Sequence, residues 1–118
     1  MGSFSFSKRE RILRRRDFIR LYRKGSIYHT AHFKISFMEN GLDVTRLGIT
    51  VGRRVGNAVR RNRIKRLVRE VFRLHKAGFP KGYDLIVTAK RGAADLGFRD
   101  VERELSEFLL DERLCSSF

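Results

Sequence analysis

Residues 53–73, RRVGNAVRRNRIKRLVREVFR, hold nine arginines or lysines against a single acid, Glu70. From Asn57 onward the apolar residues keep a helical period. With Ile64 at zero and about 100° added per residue, Ile64, Leu67, Val68, Val71 and Phe72 fall within roughly 140° of one another. That stripe predicts a helix with one side in the core. On the same wheel Asn62, Lys65, Arg66, Arg69 and Arg73 fall between roughly 100° and 200°. A solvated helix face normally interleaves both signs of charge in i,i+4 pairs. Four cations and an amide in a row read instead as a face turned toward a polyanion. Asn57 is placed to cap this helix, and Gly78 and Pro80 to stop it.

The sequence on either side supplies a sheet. Upstream, Ala31–Met38 alternates, with Phe33, Ile35 and Phe37 on one side and His32, Lys34 and Ser36 on the other, as in a half-buried strand. Asn40-Gly41 is a turn signal, and Arg46–Gly52 alternates again, with Leu47, Ile49 and Val51 opposite Gly48, Thr50 and Gly52. The expectation is an antiparallel hairpin whose second face is small or polar, open to a ligand or to backbone. Downstream, Tyr83–Ala89, YDLIVTA, is a continuous apolar run too short for a helix and reads as a central strand buried on both faces. Phe98, Val101, Leu105, Phe108 and Leu109 mark a last helix. Near the start, Asp17 is expected to cap a two-turn helix carrying Phe18, Ile19, Leu21 and Tyr22, ended by Gly25. The resulting order is α-β-β-α-β-α, an α/β (α+β) fold with a parallel βαβ crossover joined to a hairpin.

With 118 residues the chain suits one domain, residues 1–118. Residues 1–16 are expected to form a basic N-terminal arm within it and residues 113–118 a flexible tail. The net charge of +14 points to a nucleic acid or another anionic surface. Residues 1–75 carry 20 Lys+Arg and 5 Asp+Glu, whereas residues 76–118 carry 7 and 8. The binding surface therefore belongs to the first two-thirds. A lone cysteine, Cys115, excludes an internal disulfide framework, and no apolar run is long enough for a signal peptide or a membrane span. A cytoplasmic location is expected.

Groups for chemistry are sparse. His29, His32 and His75 have no metal-ligand spacing. Asp100, Glu104, Glu107 and Asp111 align on the last helix, where a solvated acidic face is expected rather than a Mg²⁺ site. Gly52-x-x-x-Gly56 lacks the lysine and hydroxyl of a phosphate-binding loop. The accessible sheet face beside Phe18 and Tyr22 favours unpaired RNA, because aromatic stacking is a common device for single strands. Taken alone, the two aromatics read first as docking a small helix into the core.

The run Gly56-Asn57-Ala58-Val59-Arg60-Arg61-Asn62-Arg63-Ile64-Lys65-Arg66-Leu67-Val68-Arg69-Glu70 resembles the signature of the bacterial ribonuclease P protein subunit, whose core is an Arg-Asn-Arg helix. Arg11-Ile12-Leu13 with Asp17-Phe18, Leu47-Gly48-Ile49-Thr50-Val51 and Asp84-Leu85-Ile86-Val87 extend the resemblance along nearly the whole chain. It implies a two-layer sandwich like ribosomal protein S5 domain 2, with a left-handed βαβ crossover against the usual handedness.

The resemblance also implies a ribonucleoprotein that removes the 5′ leader of precursor tRNA. Its catalytic groups and Mg²⁺ are held mainly by RNA, with no organic cofactor, no obligate protein partner and no membrane. Carried over by position, Arg53, Arg54, Arg61, Asn62, Arg63, Lys65, Arg66 and Arg69 face the catalytic RNA. Phe18, Tyr22, Lys34, Ser36 and Thr50 line a cleft for the single-stranded leader. Relatives often place an aromatic where Ser36 stands, so stacking there is expected to be weaker or supplied by a neighbour. Two other functions compete: a ribosomal protein or RNA chaperone, and a protein-only nuclease, which would need metal-bound carboxylates on the basic face.

Overall fold

A computed structural model describes residues 10–11 and 14–110 of the chain. In chain order the elements are α1 (Arg15–Lys24), β1 (Ser26–His29), β2 (Phe33–Glu39), β3 (Arg46–Thr50), α2 (Ala58–Leu74), β4 (Tyr83–Ala89) and α3 (Phe98–Leu110). Short 3-10 turns occupy Lys76–Gly78 and Ala93–Asp95. The strands form one sheet in the order β1-β2-β4-β3.

β4 is central, as its unbroken apolar run predicts, and both neighbours pair with it. β2 runs antiparallel to it, with Ile35 opposite Val87, and β3 runs parallel to it, with Ile49 opposite the same Val87. The expected hairpin of β2 with β3 is therefore corrected. β4 has apolar residues on both faces and needs cover on both, so it takes the position between them. The Asn40-Gly41 turn starts a longer connection. Asn40 donates from its backbone N–H to the Gly82 carbonyl at 2.8 Å, and from Nδ2 to Val44 O at 3.0 Å and Asp84 Oδ1 at 2.9 Å. The βαβ crossover β3–α2–β4 is present as expected. A further strand, β1, extends the sheet beyond β2, with Ile27 opposite Ser36.

Cross-strand partners share a face. One face carries Phe33, Ile35, Phe37, Leu47, Leu85 and Val87, which pack with Ile64, Val68, Val71 and Phe72 of α2 and with Val101, Leu105 and Phe108 of α3. Phe108 meets the ring of Phe37 edge-on at 5.3 Å and that of Tyr28 at 5.5 Å. α1 lies on the opposite face, where Leu21 and Ile86 are fully buried with Phe18 and Met38 against them. The helix pair and the sheet make the two layers, and α1 covers part of the sheet's other side.

α1 starts earlier than its sequence suggests. Its N-cap is Arg14, which makes no side-chain capping bond, and Asp17 lies within the first turn. The acid still favours the helix N-terminus there, but its carboxylate is turned toward Arg46, 3.5 Å away. Of the basic arm, Glu10 is buried and paired with Lys76 at 2.8 Å, and Arg11 bridges to Leu47 in parallel. Residues 1–9 and 12–13 of the arm, and residues 111–118, which include Asp111 and the tail at 113–118, lie outside the described residues.

Candidate nucleic-acid interface

α2 begins as its sequence predicts: Asn57 Oδ1 accepts the Arg60 N–H at 3.0 Å, satisfying one of the open donors of the first turn. Ile64, Val68, Val71 and Phe72 turn into the core, which sends the opposite side to solvent. Asn62, Arg66 and Arg69 are exposed, and Lys65 is half-buried beside them. Arg73, at the end of the row, is held by the Glu70 carboxylate, with Nε 3.3 Å from Oε2. Among the described residues the free row is thus Asn62, Lys65, Arg66 and Arg69. Val59, 78% exposed on the first turn, lies next to this row on the wheel, a position its apolar character alone did not signal. Arg53 and Arg54 are exposed in the turn before α2, which closes with a Val55 N–H to Gly52 O bond of 3.1 Å.

The two arginines that flank Asn62 behave differently from the row. Arg61 Nη1 donates to the Gly56 carbonyl at 3.0 Å, tightening the entry to the helix. Arg63 Nη1 donates to the Leu96 carbonyl at 2.8 Å and the Ala94 carbonyl at 3.3 Å. Arg60 adds an ion pair to Asp95 at 2.6 Å. Together Arg60 and Arg63 fasten the start of α2 to the turn before α3. Both side chains of the motif remain partly exposed, and each guanidinium has more N–H donors than these contacts use.

On the other face of the sheet, paired positions give a cross-strand row: His29, Lys34, Thr88 and Thr50. α1 stands beside it. The Tyr22 hydroxyl lies 3.4 Å from Thr50 Oγ1, and Lys34 Nζ sits 5.7 Å from the centre of the Tyr22 ring. Phe18 and Tyr22 are tilted at 56° with centroids 6.5 Å apart. Tyr22 is 46% exposed, whereas Phe18 is half-buried against Leu21 and Ile86. The result is a shallow cleft with an aromatic wall, a cation and the Thr50 hydroxyl on its floor; the Thr88 hydroxyl is buried beneath it, with no partner among the described residues. Four of the five expected cleft residues, Phe18, Tyr22, Lys34 and Thr50, come together here. Ser36 is the exception: it is fully buried, between Ile27 and Ile86 in register, and its hydroxyl has no partner among the described residues. Thr88 and His29 were not singled out from the sequence, because only the strand register brings them into the row.

The expected acidic face of α3 also needs correction. Glu104 is 3% exposed, 2.7 Å from Thr30 Oγ1 and from the His32 backbone N–H, and 2.6 Å from His32 Nδ1. Burial raises its pKa, but the hydrogen bonds from Thr30 and His32 outweigh that and hold it below the usual carboxylate range. On the wheel it falls only about 40° from Phe108, at the margin of the apolar stripe. It ties α3 to the β1–β2 turn. His75 is likewise paired, with Glu102 at 2.8 Å. Among the described residues no three His, Cys, Asp or Glu side chains cluster as a metal cage.

A cationic row on one side of the sheet and an aromatic, lysine-bearing cleft on the other define an α/β protein built to hold RNA. A family model described as "Ribonuclease P" matches residues 6–112. The "Ribonuclease P protein component" of Syntrophus aciditrophicus is 45% identical over 112 residues, covering 95% of this chain and 94% of the relative. That of Geotalea uraniireducens is 44% identical, covering 97% and 98%. Among solved structures, the RNase P protein from Thermotoga maritima superposes with a TM-score of 0.79 at 38% identity, covering 85% of this chain and 94% of that one. The RNase P protein of Staphylococcus aureus gives the same score and identity, covering 85% and 92%. The chain belongs to the ribonuclease P protein family. It is the protein component of the ribonucleoprotein that cleaves the 5′ leader from precursor tRNA, and it functions with an RNA subunit. The ribosomal-protein and chaperone alternatives fall with that membership.

Proposed function

We propose that the exposed row on α2 docks on the catalytic RNA, while the cleft beside α1 holds the single-stranded leader of precursor tRNA. The observation that carries this reading is the separation of the two surfaces. Asn62, Lys65, Arg66 and Arg69, with Arg53 and Arg54 before them, project from a helix on one side of the sheet. Tyr22, Lys34 and Thr50 meet on the other. Cations in line neutralise phosphates and release counterions; an exposed ring with a hydroxyl beside it suits an unpaired base. Arg61 and Arg63 reach the RNA with the donors their backbone contacts leave over.

The chemistry belongs to the RNA. A hard divalent cation such as Mg²⁺ needs several oxygen ligands, carboxylates foremost among protein groups. The only acids of the two helices, Asp17 and Glu70, are turned toward Arg46 and Arg73. These surfaces therefore do not fit a resident Mg²⁺, and phosphates of the RNA subunit and the substrate hold it instead. The protein's part is to screen repulsion between two RNAs and to fix the leader. We place the protein in the cytoplasm, where precursor tRNA is made; no helix of the described residues is long and apolar enough to cross a membrane.

Reconstitution tests the reading. With a bacterial ribonuclease P RNA at low Mg²⁺, addition of the protein is expected to raise cleavage of precursor tRNA and to tighten binding of leader-bearing over leaderless tRNA. Equal binding of the two would overturn the leader cleft, and no gain in cleavage would overturn the docking role.

A further inference from the structure

The outer face of α1 is the most cationic surface left over. With Arg15 at zero on the wheel, Arg15, Arg23, Arg16, Arg20 and Lys24 span roughly 180°. All five are exposed, and none makes an ion pair or side-chain hydrogen bond among the described residues. The only acid in the helix, Asp17, is turned away toward Arg46. Outside α1 and the α2 row, four arginines are neutralised: Arg46 with Asp84, Arg60 with Asp95, Arg73 with Glu70 and Arg103 with Asp100. On α1, Arg16 and Arg20 stand at i and i+4, and Arg20 and Arg23 at i and i+3, so like charges repel along one side of the helix. The N-terminus has no side-chain cap to offset this. Such a face is stabilised by phosphates.

Its position selects which phosphates. Tyr22 falls only about 20° from Arg15 on the same wheel, so the cationic arc begins beside the aromatic edge of the cleft. A strand leaving the cleft over Tyr22 passes directly onto it, whereas the α2 row lies across the sheet. We propose that the outer face of α1 is a second RNA contact that takes the upstream part of the leader, beyond the nucleotides held in the cleft. The inference rests on the cleft being the leader site. Arg16, Arg20 and Arg23 then track the sugar-phosphate backbone over roughly 10 Å of helix, without reading bases. Selectivity would follow leader length rather than sequence.

The test uses the holoenzyme, reconstituted from this chain and a bacterial ribonuclease P RNA. Three tRNAs are compared: leaderless, with a leader ending inside the cleft, and with a leader long enough to continue past it. For Arg20→Gln/Arg23→Gln, affinity for the long leader is expected to fall roughly tenfold at low salt. The salt slope should decrease by about 1.4, the value for two phosphates of a single strand. Short-leader and leaderless binding should match the wild type, and Arg20→Lys/Arg23→Lys should restore most of the loss. Equal loss on all three tRNAs means that the face touches the catalytic RNA or the tRNA body and overturns the proposal. Unchanged affinity for the long leader also overturns it. If instead the wild type does not distinguish a short leader from none, it is the cleft assignment that fails.

Discussion

Arg63 donates to the main-chain carbonyl of Leu96, 33 residues downstream, at 2.8 Å. The last residue of an Arg-Asn-Arg motif that reads as an RNA contact thus also braces the helix that presents it. Arg60 and Asp95 reinforce the same joint. Asn62, between Arg61 and Arg63, has no side-chain partner among the described residues.

Arg63→Ala is therefore expected to destabilise the protein by about 1–3 kcal/mol, since it leaves two carbonyls of the buried residues Ala94 and Leu96 without their charged donor. Arg66→Ala, on the exposed row, should stay within about 0.5 kcal/mol of wild type. It should instead lower the salt slope for binding the catalytic RNA by about one unit. Urea denaturation and a salt titration separate the two effects. Equal stability of the two variants would remove the bracing role.

Tyr22→Ala should weaken leader-bearing precursors by about 1–3 kcal/mol, the usual worth of a base stack, and leave leaderless tRNA unchanged. Phe18→Ala should show the same selectivity with an added loss of stability, because that ring also packs on Leu21 and Ile86. Binding measured beside a thermal melt checks both. A Tyr22 variant that loses leaderless tRNA equally would exclude the ring from the cleft.

Leu21→Ala should cost about 2–5 kcal/mol, as expected for a fully buried leucine. Leu21 is the contact that seats α1 on Ile86, so amide exchange in α1 should accelerate more than in α2. Uniform acceleration would show that α1 is not an independent layer.

The Glu104 carboxyl sits below its ordinary range in the folded chain. It therefore contributes stability that is fully present above the unfolded carboxyl value and is lost as pH falls through the folded one. Glu104→Gln should cost about 1–3 kcal/mol at neutral pH and flatten the acid limb of the stability profile. An unaltered acid limb in denaturation series at several pH values would contradict the Thr30–Glu104–His32 network.

What could be read before folding depended on how far each signal reached. α2, with its Asn57 cap and apolar stripe, is a local pattern, and so is the unbroken run of β4; both are where the sequence puts them. Asn40-Gly41 misled because a turn dipeptide reports a bend, not which strand lies beside which. β1 has four residues, too few for alternation to register, and only Ile27 and Tyr28 favour a strand. The burial of Ser36 depends on α1 lying overhead, and that of Glu104 on a turn 72 residues away. Arg63 reads as a ligand-facing cation because nothing near it in sequence reveals the carbonyls it meets. Phe18, Tyr22, Lys34 and Thr50 came together through a family resemblance, whereas Thr88 and His29 needed the register.

The parallel bridge from Arg11 to Leu47 has a colloidal consequence. β3 forms one margin of the sheet, and bare strand margins invite a second molecule to add on. Here a charged residue already occupies part of that line. A copy approaching in the same way would set arginine against arginine. One backbone contact thus shields part of the sheet's β3 margin from strand addition.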